Sequence, residues 1–300
     1  MKNLLLIFIF LLICIPLFSG GQPENIEPPV EKESRVIVFT SILPQKYFVE
    51  RIGGDRVDIN VFVGPGKNPA TYDPTPSQVV SLSRADIFFS IGVPFERAFI
   101  GNIGSSLPEL NIVDTSAGIV KREIVDHDHE EEGDHLEGDL KDPHIWMSPD
   151  LVKIQAATIF NALVKNDPDG KEIYTIGYNS FIEDLNLVHN ELQNILEPLG
   201  GNVFFVFHPS FGYFADEFGL RQVAIETGGK EPGPSMLEKI IMDAREKNVK
   251  IIFVQPEFSQ KSAQVIAKAI DGAVVILDPL NPDYLSNLRR IAFEIEKAFN

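Results

Sequence analysis

The chain has 300 residues, a formal net charge of −17 and a mean hydropathy of +0.02. A hydrophobic fraction of 44% is enough to build globular cores, which sets aside the disordered class and leaves room for two domains. The acidic balance sets aside nucleic acid and anionic lipid as partners, because both reward clustered Lys and Arg.

In chain order, Met1-Lys2-Asn3 is followed by an apolar run from Leu4 to Phe18 and then by Ser19, Gly20 and Gly21. A basic start, a core too short to span a bilayer and a small-residue exit make 1–21 a secretory signal peptide. The expected location is therefore periplasmic or otherwise extracytoplasmic. Cys14 is the single cysteine, and the bulky Ile13 before it argues against lipid attachment. The mature chain then has no thiol, so any metal chemistry must use imidazole and carboxylate. Residues 22–34 hold three prolines and four acids with few apolar side chains, the composition of a flexible tether.

The apolar run 35–40 reads as a strand and 45–51 as a helix closed by Gly53-Gly54. Strand 58–63, helix 77–84 behind Pro76, and strands 86–91 and 111–113 continue the alternation, so 35–168 is expected to be an α/β domain. Within it, 126–142 carries nine acids against Lys141 alone, together with His127, His129 and His135. Too polar to bury itself, this tract is expected to be a mobile loop that traps divalent cations weakly. Helical spacing returns at 150–165 and 172–196, and 169–198 is expected to be one long helix connecting to a second α/β domain at 199–300. That second half alternates strands 203–207, 249–254 and 273–277 with helices 236–246, 262–269 and 284–299. The expected fold class is α/β, with two parallel-sheet, Rossmann-like domains joined by a single long helix.

Two ligand-type residues end buried strands: His208 follows Val203-Phe-Phe-Val-Phe207, and Asp278 follows Val274-Val-Ile-Leu277. Open α/β sheets place ligand contacts at such carboxyl ends. His144 lies in Asp142-Pro-His-Ile-Trp-Met-Ser-Pro149, where two prolines stiffen the backbone and Ser148 can cap the next helix. His189, among charged residues on the long helix, reads as a surface residue.

Together with Asn68-Pro-Ala-Thr-Tyr-Asp-Pro-Thr-Pro-Ser77, Phe207-His-Pro-Ser-Phe-Gly-Tyr-Phe214, Val254-Gln-Pro-Glu-Phe258 and Ile276-Leu-Asp-Pro-Leu280, this segment makes the chain resemble the zinc and manganese solute-binding proteins of bacterial ABC transporters, the zinc-uptake branch in particular. The resemblance implies a metal cleft between the two domains, with zinc ligands at His144, His208 and Asp278. It also implies delivery of Zn²⁺ to an ABC transporter permease in the cytoplasmic membrane, by a monomer without enzymatic activity. One position departs from the family pattern: Ala70 stands where a first histidine ligand is expected. The fourth coordination position is then left to water, to His127, His129 or His135, or to a nearby carboxylate. The alternatives are a manganese or iron receptor of the same family, a zinc hydrolase using an open three-ligand site with Glu257 nearby, and an adhesin that has lost transport.

Overall fold

The computed structural model describes residues 35–104, 106–124, 141–226 and 231–299. The signal peptide, the tether, and His127, His129 and His135 lie outside the described residues.

The first half begins with β1 (Val36–Ile42), α1 (Leu43–Gly53), β2 (Val57–Val63), α2 (Pro76–Leu82) and β3 (Ile87–Ser90). It continues through α3 (Pro94–Ile103), β4 (Asn111–Asp114) and α4 (Pro149–Asn166) to the 26-residue α5 (Lys171–Leu196). The second half comprises β5 (Val203–Val206), α6 (Gly212–Glu217), β6 (Arg221–Ala224), α7 (Pro234–Glu246), β7 (Ile251–Val254), α8 (Lys261–Ala269), β8 (Ala273–Ile276) and α9 (Tyr284–Phe299). Among the described residues, no helix is long and apolar enough to cross a membrane.

Every strand pair is parallel, and the two four-stranded sheets share one topology, β2-β1-β3-β4 and β6-β5-β7-β8. In each sheet the chain leaves its first strand in one direction and returns on the other side, which opens a crevice at the carboxyl ends. The expected fold class is the one observed. Three elements were not legible in the sequence. α3 follows Gly92 and contains Gly101, a poor helix signal; α6 is only six residues long; and β6 is a four-residue edge strand with Arg221 and Gln222 in it.

α5 presents one apolar stripe, Tyr174, Phe181, Leu185, Val188, Leu192 and Leu196, all buried. At 1.5 Å per residue it extends about 39 Å, enough to serve both halves. Arg51 on α1 reaches Asp184 at 2.6 Å, His189 meets Glu217 on α6 at 2.7 Å, and Glu191 meets Arg289 on α9. The largest core is continuous from β1 and β3 through Trp146 and α5 to Phe204, Phe214, Phe253 and Leu288, so the two sheets share packing. A second core under β7 and α8 belongs to the C-terminal sheet alone. The described residues accordingly form one compact unit.

Candidate metal centre

His208 leaves the carboxyl end of β5 beside the crevice. Gln255, buried just past β7, grips it twice: the His208 N–H donates to Gln255 Oε1 at 3.1 Å, and Gln255 Nε2 donates to the His208 carbonyl at 2.7 Å. His144 comes from the long β4–α4 connection, where its N–H donates to Asp142 Oδ1 at 2.9 Å. Ser148 then accepts from Leu151 N and caps α4, the role read for it in the sequence. Trp146 locks this loop to the segment bearing Asp278, donating from Nε1 to the Pro279 carbonyl at 2.8 Å, while the Tyr284 hydroxyl donates to the Trp146 carbonyl at 2.7 Å.

The two imidazoles meet edge to face with ring centroids 5.1 Å apart, and their Nε2 atoms are separated by 3.3 Å. Each Nδ1 is engaged by a buried carboxylate: His144 by Asp142 at 2.7 Å and His208 by Glu226 at 2.5 Å. An ionised carboxylate accepts only, so each Nδ1 carries the proton and each Nε2 presents a lone pair. Two lone pairs facing each other repel unless a cation lies between them. Two nitrogens bound at about 2.05 Å to one tetrahedral zinc stand roughly 3.3 Å apart, which is the separation observed. Burial pushes the His208 pKa down, reinforced by His144 and opposed by Glu226, and so favours the neutral ring that a metal requires. The Phe258 ring stacks on His208 at 4.8 Å and limits its rotation.

A cavity of about 90 Å³ at this point is lined by Ala70, His144, Trp146, His208, Glu257 and Phe258, among others. Ala70 is thus part of the same lining as the imidazole pair and brings only a methyl group. Asp278 lies beside the cavity, whose lining includes its neighbours Pro279 and Leu280; its Oδ1 accepts from Leu280 N at 2.9 Å. His144, His208 and Asp278 do not bring three ligand atoms within 4.8 Å of one another; among the described residues the set that does so is Asp150, His189 and Glu217. The surface reading of His189 is thereby corrected, since it is three-quarters buried and paired with Glu217. Burial pushes the Glu257 carboxyl up to about 7, with the charge of Asp278 adding to the shift and His144 opposing it. Asp278 is also pushed up by burial, against its Leu280 hydrogen bond and Arg290.

Asp142, Glu226 and Gln255 carry no ligand signature in the sequence. Glu226 is 18 residues from His208, and only the pairing of β5 with β6 brings it alongside. Ile124 is also part of the lining, and its neighbour Glu123 forms an antiparallel bridge and a 3.1 Å ion pair with Lys141.

A family model described as zinc-uptake complex component A, periplasmic, matches residues 38–298. A solved structure, "Crystal structure of ZnuA", superimposes with a TM-score of 0.82 at 37% identity, covering 89% of this chain and 100% of that one. The high-affinity zinc uptake system protein ZnuA of Bacillus subtilis (strain 168) is 29% identical over 255 residues, 83% of this chain and 80% of that protein. A relative of Halalkalibacterium halodurans, 25% identical over 83% of this chain and 80% of its own length, is named manganese-binding lipoprotein MntA.

Proposed function

The chain belongs to the family of periplasmic zinc-uptake components, metal-binding receptors of ABC transport systems, and on that premise we propose that its cargo is Zn²⁺, held in the cleft by His144 and His208, with Asp278 approaching from the adjoining loop once the ion is bound. The observation that carries this reading is the 3.3 Å separation of the two Nε2 atoms, each ring braced through Nδ1 by a buried carboxylate. Imidazole pairs with outer carboxylates suit zinc, and the brace fixes tautomer and orientation before the ion arrives. Asp278 adds negative charge from the adjoining loop, and Glu257 offers a carboxylate in the lining, to which Ala70 brings only a methyl group. Family membership supports delivery to a membrane permease, and monomeric action fits a body whose main core is already continuous.

Calorimetric titration with Zn²⁺, Mn²⁺ and Fe²⁺ tests the reading. Tight zinc binding with weaker manganese and iron is expected, and His208→Ala abolishes it. Glu226→Gln weakens zinc roughly ten- to hundredfold by removing the brace, and Ala70→His tightens it by adding an imidazole to the cavity. Zinc affinity equal in His208→Ala and the parent chain overturns the site. A hydrolase would use Glu257 as general base beside an open coordination position; zinc-loaded protein is expected to turn over no activated ester.

A further inference from the structure

Among the described residues, one group of ligand-type side chains lies outside the cleft. Asp150 in the first turn of α4, His189 on α5 and Glu217 at the end of α6 bring two carboxylate oxygens and an imidazole nitrogen within 4.8 Å of one another. His189 Nδ1 is 2.7 Å from Glu217 Oε1 and 3.7 Å from Asp150 Oδ1. The first contact is a hydrogen bond, which an entering ion replaces by opening the pair toward the roughly 3.3 Å between two ligand atoms on one tetrahedral ion. We propose that Asp150, His189 and Glu217 form a second divalent-cation site at the junction of α4, α5 and α6.

The site is built rather than fortuitous. The Glu217 side chain is only 9% exposed, and its two oxygens are directed separately, Oε2 to the Ser148 hydroxyl and Oε1 to His189. Ser148 is itself fixed as the cap of α4, and Phe218 packs against the His189 ring at 5.6 Å. Asp150 is the exposed member, at 55%, so an ion can enter from solvent and keep water on its remaining positions. Lys153, 2.8 Å from Asp150, is the one lysine or arginine paired with the group among the described residues, against two carboxyl groups. One nitrogen and two oxygens suit Zn²⁺, Mn²⁺ or Co²⁺ and disfavour soft Cu⁺. Because α4 follows the His144 loop and α6 follows His208, an ion here ties together the two segments that carry the cleft imidazoles.

The test is zinc stoichiometry on the full mature chain by equilibrium dialysis, with Zn²⁺ as the only metal, comparing the parent, Glu217→Gln, His189→Asn and His208→Ala. Zinc held by the acidic tract is common to all four and cancels. The expected result is one equivalent fewer in Glu217→Gln and in His189→Asn, with the cleft ion retained, whereas His208→Ala loses the cleft ion and keeps this one. Anomalous scattering at the zinc edge then shows a peak bonded to His189 Nδ1. Unchanged stoichiometry in His189→Asn, whose position tolerates a polar side chain, overturns the proposal, and does so whatever His208→Ala shows of the cleft.

Discussion

At the scale of single residues, carboxylates differ sharply in what surrounds them. Asp142 and Glu226 sit against imidazole Nδ1 atoms, whereas Glu96, 3% exposed, accepts from the backbone N–H groups of Ile91 and Gly92 and lies beside the Ser41 side chain. Burial raises its pKa from 4.5 to about 7, with the Ser41 side chain and those backbone hydrogen bonds opposing the shift. Between those values the folded chain holds a proton that the unfolded chain has released, so stability falls as pH rises through that window. The loss is on the order of 3 kcal/mol for such a displacement. Glu96→Gln, which cannot titrate, is expected to flatten urea midpoints measured from pH 4.5 to 8; an unchanged slope would assign the pH dependence to other groups.

At the scale of elements, α5 depends on close approach as much as on its apolar stripe. A Cβ on Gly177 would meet the carbonyl oxygens of Arg51 and Ile52, each at 2.6 Å, so the helix lies directly against the backbone at the end of α1. Gly177→Ala is expected to destabilise by about 1–3 kcal/mol, because backbone cannot move aside as a side chain does. Gly101→Ala in α3 has nothing within 4 Å of its Cβ and is expected to stabilise by roughly 0.5–1 kcal/mol through helix propensity. Chemical denaturation of the pair separates packing from propensity, since propensity alone would move both in the same direction.

At the scale of the molecule, the main core runs from the first sheet through α5 into the second. The cleft imidazoles come from opposite sides of that shared core, so a bound ion stabilises the whole body and not one lobe. At a hundredfold excess over Kd, zinc should add about 2.7 kcal/mol, reversed by a chelator. A single shifted thermal transition is expected. Two transitions, only one of them metal-sensitive, would mean that the lobes unfold independently despite their common packing.

Much was legible in the sequence because it depends on local pattern. β-branched runs alternating with helical spacing identified the α/β class, and α9 spans the residues its periodicity marked, 284–299. His208 was singled out because a parallel sheet delivers its carboxyl ends to one side, and His144 because a Pro-flanked loop holds its backbone stiff. What the chain alone could not decide were relations between distant segments. The 3.3 Å approach of the two Nε2 atoms, the bracing of His208 by Glu226, the position of Asp278 beside the cavity and not in its lining, and the gathering of Asp150, His189 and Glu217 all depend on how two sheets pack across one helix. Periodicity encodes which face of an element is buried, but only tertiary packing sets which faces meet.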